Sequence, residues 1–184
     1  MPDRVARIYT KTGDQGKTGL SGGRRVCKDC HEIQAIGDVD ELNSVIGMVL
    51  AHDIPADVKT SLVEIQHRLF DVGAELSNPD LELVHEEMVM QLEQKIDEIN
   101  QSLPVLKNFI LPNGGVAASI CHLARATCRR AERSVVSLSQ HHGINPNIQI
   151  YLNRLSDYLF VACRALSRSS GHTEMFWPST DPGY

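Results

Sequence analysis

The stretch "NPNIQIYLNRLSDYLFVACRAL", Asn145–Leu166, decides the fold. Ile148, Leu152, Leu155, Leu159, Ala162 and Leu166 recur at steps of three and four, the period of an α-helix with one apolar face. Asn145-Pro146 reads as an N-cap followed by proline at the first helical position. Asn153, Arg154 and Asp157 interrupt the apolar series and read as a solvated face. Asn153 directly follows the core position Leu152, which puts it where the rim of a pocket would be.

The same period extends through the chain on both sides of this segment. Val39, Leu42, Ile46 and Val49 form one series, and Val58, Leu62, Ile65, Leu69, Val72 and Leu76 a second. Met88, Leu92, Ile96, Ile99 and Leu103 form a third, and a fourth helical segment runs from about Val116 to Gln140. Stripes of this kind are satisfied only by packing helix on helix. Pro55, Pro79, Pro104, Pro112 and Pro146 fall between the series, where a missing N–H is harmless. "LPNGG", Leu111–Gly115, reads as a turn feeding the fourth helix. The expectation is an all-α, five-helix bundle with a non-helical, glycine-rich N-terminal arm. No repeat or linker divides it, so one domain is expected over 1–184: arm 1–35, bundle 36–170, C-terminal tail 171–184.

Hydrophobic content of 42% and charged content of 22% over 184 residues suit an ordinary globular domain with a proper core. A net charge of −5 argues against a general nucleic-acid binder, so an anion site must be a local cluster of cations. No apolar run approaches the ~18 residues of a membrane span. "MPDRVARIYT" lacks the apolar core of a secretion signal, and an odd five cysteines suit a reducing compartment. A cytoplasmic location is expected.

Two segments carry candidate chemistry. "YTKTGDQGKTGLSGG", Tyr9–Gly23, resembles a phosphate cradle but is not a Walker A loop, because Lys11 stands where its first glycine belongs. Thr10, Lys11, Thr12, Gly13, Gly16, Lys17 and Thr18 still supply ammonium groups, hydroxyls and permissive backbone, the makings of an anion-binding concavity. A flexible polar terminus has the same composition; Ile8-Tyr9 and Leu20 are the residues that could anchor it. The second segment, "HLARATCRRAERSVV", sets Arg125, Arg129 and Arg133 at i, i+4 and i+8 with Arg130 alongside. Like charges at that spacing repel by about 0.2–0.5 kcal/mol per pair. Acids of the first helix (Asp38, Asp40, Glu41), an anionic ligand, or both must answer them.

Smaller signals have plain alternatives. Phe109, before the turn, reads as core. "CKDCH", Cys27–His31, matches the haem-attachment pattern, but haem attachment goes with export and zinc needs a second ligand pair. Cys121, Cys128 and Cys163 stand singly on helices, where buried cysteine is usual.

Taken in order, "RIYTKTGDQGKTGLSGGRR", "AIGDVDELNSVIG", "FILPNGG", "ARATCRRAERSVV" and "NRLSDYLFVACR" closely resemble the ATP:cob(I)alamin adenosyltransferases of the propanediol-utilisation type. The resemblance implies a homotrimer with active sites between subunits. It implies that the arm wraps ATP through Thr10, Lys11, Thr12, Gly13, Gly16, Lys17 and Thr18, joined by Lys28, Arg129, Glu132, Arg133 and Asn153. Arg125 matches an arginine paired across the subunit interface with an aspartate, here Asp40. Phe109 matches an aromatic residue that lies against the lower face of the corrin and excludes the axial ligand.

The implied reaction is attack by cobalt(I) of cobalamin on the 5′ carbon of ATP, giving adenosylcobalamin and triphosphate, with magnesium bridging phosphate oxygens. Cobalt is itself the nucleophile, so no side-chain nucleophile is needed. Phe109, Asp40, Arg125 and Arg129 are the expected catalytic residues. A flavoprotein reductase and an adenosylcobalamin-dependent enzyme are the protein partners such an activity calls for. A non-catalytic ATP-binding or cobalamin-carrying bundle is the alternative.

Overall fold

The computed structural model describes residues 8–21 and 23–178. Two short strands, β1 (Lys17–Gly19) and β2 (Arg25–Cys27), precede five helices. These are α1 (His31–Leu50), α2 (Ala56–Ser77), α3 (Glu86–Gln101), α4 (Val116–Ser139) and α5 (Pro146–Ser169). The five expected helices are all present. The first begins at His31, ahead of the apolar series, so the non-helical arm is shorter than the pattern implied.

Helix α1 packs between α2 and α4, and α5 packs between α4 and α3. Every apolar position of the α1, α2 and α5 series is buried. In α3 the buried residues are Val89 and Leu92, while Met88, Ile96 and Ile99 are only partly covered. That helix closes the bundle at its edge, where Lys95 bridges Glu64 of α2 at 3.0 Å. Cys121 and Cys128 donate from α4 to the Leu159 and Leu152 carbonyls of α5. Burial pushes the Cys128 and Cys163 thiols up, so both stay neutral as small core residues.

The ends of the bundle are tied by satisfied polar groups. Asn145 caps α5 as expected, its side chain accepting from the Asn147 N–H at 3.0 Å. Its amide donates to the buried Glu75 carboxylate at 2.7 Å, which also accepts from the Leu83 and Val84 N–H groups. Three donors on one carboxylate compensate its removal from water.

The "LPNGG" turn enters α4 at positive φ, with Gly114 at +114°. A Cβ there would lie 2.3 Å from the Ser167 hydroxyl of α5. Gly114→Ala combines backbone strain with overpacking, each of order 1–3 kcal/mol, so a loss of about 3 kcal/mol is expected. A lowered denaturant midpoint checks it.

Candidate functional site

The described residues of the arm form an ordered hairpin and turn. Lys17, Thr18 and Gly19 pair antiparallel with Cys27, Val26 and Arg25, and the Lys28 N–H donates to the Gly16 carbonyl at 2.8 Å. Arg25 donates to the Thr12 carbonyl at 2.6 Å, folding residues 10–13 back over the hairpin. The Lys28 ammonium lies against Gly13, where an added Cβ would come within 3.1 Å of Nζ. The absence of a side chain at Gly13 lets Lys28 reach the turn. Thr10 and Thr12 hydroxyls bond each other at 2.9 Å, and Lys11 adopts φ +58°.

Leu20 is the anchor, 7% exposed, and Ser21 beside it bonds the Ser77 hydroxyl at the end of α2. Ile8 and Tyr9, the other expected anchors, are exposed at 87% and 66%. Arg24 reaches Glu32 at the start of α1, 3.3 Å away, and His142 lies 3.5 Å from the same carboxylate. Burial works to raise the Glu32 pKa, but backbone and Cys30 hydrogen bonds, His142 and Arg24 outweigh it and hold the carboxyl below its ordinary value.

"CKDCH" crosses the end of β2, a turn and the start of α1. Among the described residues no group of three or more His, Cys, Asp or Glu side chains is placed to hold a metal ion. No helix among the described residues is long and apolar enough to cross a membrane.

On α4 the arginines divide. Arg130 meets Asp38, at 3.3 Å, and Glu41 of α1. The salt-bridge seam expected from the sequence therefore exists, but through Arg130; within one chain neither Arg125 nor Asp40 takes part in it. Asp40 is exposed, in a groove between α1 and α2 beside Phe70. Arg129 and Arg133 are exposed, and no carboxylate among the described residues pairs with either; Arg133 donates to the Arg129 carbonyl at 3.1 Å. Glu132 accepts from the Asn153 amide of α5 at 3.0 Å, so these two expected site residues do meet. No hydrogen bond or ion pair links residues 8–21 to α4 or α5 among the described residues.

Phe109 is 67% exposed, which removes it from the core. It lies in an open cleft of about 550 Å³ with Arg125, Phe160, Lys107 and Trp177. Arg125 Nε is buried there with no partner among the described residues. The adjacent His122 is 5% exposed; burial, and then the Arg125 charge, lower its pKa from 6.5 to about 4. It is neutral at pH 7 and leaves the charge at this end of α4 to Arg125. Arg125 and Arg129 are separated by about 6 Å of helix rise, so cleft and stripe are continuous along α4. Phe160 and Trp177 were missed in the sequence. Phe160 sits inside an apolar helical run, and Trp177 lies in what reads as a tail.

The chain belongs to the cobalamin adenosyltransferase family, whose model matches residues 8–166 and so spans both arm and stripe. That membership makes it a transferase. The cobalamin adenosyltransferase of Cupriavidus metallidurans is 48% identical over 178 residues, covering 96% of this chain and 97% of the relative. The corrinoid adenosyltransferase of Bacillus subtilis is 46% identical over 173 residues, 90% of this chain and 89% of the relative. Among solved structures, a Phe-to-Ala variant of the PduO-type ATP:corrinoid adenosyltransferase from Lactobacillus reuteri, complexed with cobalamin and ATP, superposes with a TM-score of 0.87. It is 36% identical, and the match covers 94% of this chain and all of that one.

Proposed function

We propose that the chain transfers the 5′-deoxyadenosyl group of ATP to cob(I)alamin, in a homotrimer whose sites lie between subunits. The observation that carries this reading is the continuity along α4 of an arginine stripe, without carboxylate partners among the described residues, and an aromatic cleft holding Phe109. In the reaction, the electron pair of substrate cobalt(I) forms the cobalt–carbon bond. The 5′ C–O bond breaks, and its electron pair leaves on triphosphate. Lys11, Lys17 and Lys28 of the arm, with Arg129 and Arg133, neutralise that charge as it develops. The hydroxyls of Thr10, Thr12 and Thr18 and the backbone at Gly13 and Gly16 cradle the phosphates. Glu132 and Asn153, held by each other, orient the nucleoside end. Phe109 covers the lower corrin face, and the four-coordinate cobalt(II) it leaves is easier to reduce.

Magnesium fits this donor set. Among the described residues no cluster of carboxylates stands ready to cage a metal ion, so the ion would be held mainly by phosphate oxygens and water, with the Thr18 hydroxyl as a protein donor. When bound, it supplies further charge neutralisation to the triphosphate.

The trimer reading is supported by two charges that find no ion-pair partner among the described residues, Arg125 and Asp40. If they pair between subunits, Asp40→Asn weakens turnover and assembly by leaving Arg125 uncompensated. A double-mutant cycle with Arg125→Ala is expected to give a coupling of about 1–3 kcal/mol. Additive effects on both turnover and assembly would separate the two residues.

The product tests the reaction class. Phosphorus NMR is expected to record one triphosphate released per corrinoid alkylated. Release of diphosphate would point to nucleotidyl rather than adenosyl transfer, and no change in ATP beside a tightly held corrinoid would instead support a binding or carrier protein.

A further inference from the structure

The segment after α5 turns back onto the Phe109 loop, and it lies beyond the matched residues 8–166. The Leu111 N–H donates to the Met175 carbonyl, and the Trp177 N–H to the Phe109 carbonyl, both at 2.8 Å. Ile110 pairs opposite Phe176, and the rings of Phe109 and Trp177 meet edge to face at 6.3 Å. Met175, Phe176 and Trp177 remain 57%, 47% and 45% exposed, so only part of their apolar surface helps to hold this strap down.

A charged tie is added by Arg164 of α5, 2% exposed. Its Nε donates to Glu174 Oε1 at 2.5 Å, and Nη2 donates to the Pro104 carbonyl at 2.6 Å. One guanidinium thus ties α5 to both segments that frame Phe109: the connection from α3 and the returning tail. A buried guanidinium left without these acceptors is costly, and charge-assisted bonds of this geometry are directional as well as strong. The Phe109 ring is 67% exposed, and its backbone carbonyl is held by the Trp177 N–H of the strap. Its position therefore depends on the strap.

We propose that Arg164 and Glu174 form a latch that positions Phe109 through the tail, which makes both positioning residues for adenosyl transfer. The inference rests on the reading that the Phe109 cleft receives the corrin. Excluding a ligand from cobalt requires the ring to stay within a fraction of an ångström of one place, and only a fixed backbone does that.

Trp177 is the sole tryptophan of the chain, so its fluorescence reports the strap in the absence of any substrate. Glu174→Ala leaves Arg164 on Pro104 and frees the tail. Trp177 emission is then expected to move to longer wavelength and to quench more readily with acrylamide. The KM for cobalamin is expected to rise about tenfold, the scale of one lost charge-assisted contact, while the KM for ATP stays within about twofold. The four-coordinate cobalt(II) fraction, read by electron paramagnetic resonance with ATP bound, is expected to fall. Glu174→Gln keeps an oxygen facing Arg164 and restores most of each signal. An unchanged Trp177 signal in Glu174→Ala would overturn the latch. So would a displaced Trp177 with cobalamin KM and four-coordinate fraction both unaltered, since the latch would then be structural only. Failure of the unaltered protein to adenosylate any corrinoid would overturn the functional reading instead, and the Trp177 signal with its Gln rescue would still decide whether the latch exists.

Discussion

Replacing Phe109 with alanine is expected to collapse turnover from cobalt(II) under a mild reductant, while chemically pre-reduced cobalt(I) reacts much better. The ring is 67% exposed and lines the cleft with Phe160 and Trp177, so its removal costs little core packing. Its bulk and apolar surface are all it can offer. Without it, water or the lower base reaches the cobalt, five-coordination returns and reduction becomes harder. Each ~1.4 kcal/mol added to the barrier costs tenfold in rate, so a loss of two or more orders of magnitude requires only about 3 kcal/mol. The KM for ATP changes little, because Arg129 and Arg133, the proposed phosphate contacts, lie farther along α4. A variant that keeps its four-coordinate cobalt(II) fraction would reduce Phe109 to one more wall of the cleft.

Arg129→Ala carries the second large expectation. Arg129 is exposed on α4 and pairs with no carboxylate among the described residues, so the fold loses nothing with its guanidinium. A charge-assisted contact to phosphate is worth about 1.5–3 kcal/mol, which sets a loss of at least about tenfold in kcat/KM for ATP. Thermal unfolding should stay where it was. Normal turnover at low ATP would remove Arg129 from the site. Arg130→Ala makes the contrast: it breaks the Asp38 and Glu41 pairing and is expected to act on stability instead.

The contrast between these two arginines shows where reading the sequence stops. The stripe of Arg125, Arg129 and Arg133 is legible from spacing alone, because 3.6 residues per turn puts i, i+4 and i+8 on one face. Which arginine meets Asp38 depends on how α4 is rotated against α1, and that is a property of the whole interface. The five helices were legible for a related reason: their stripes are long, and proline falls between them. Strands of three residues are too short to carry a period, so the hairpin that gives Lys28 its place over Gly13 left no pattern. The strap is hidden more deeply. Pairing Ile110 with Phe176 joins segments far apart in the chain, and nothing local in "HTEMFWP" announces it.

The most direct measurement mixes the unaltered protein with ATP and chemically reduced cobalamin, without oxygen, and follows the corrin absorbance. The spectrum of cobalt(I) is expected to give way to that of an alkylated cobalt(III) corrin, at a rate that rises with ATP and saturates. A cobalt(I) spectrum that persists at saturating ATP would contradict the assignment of this chain as the enzyme that makes the cobalt–carbon bond.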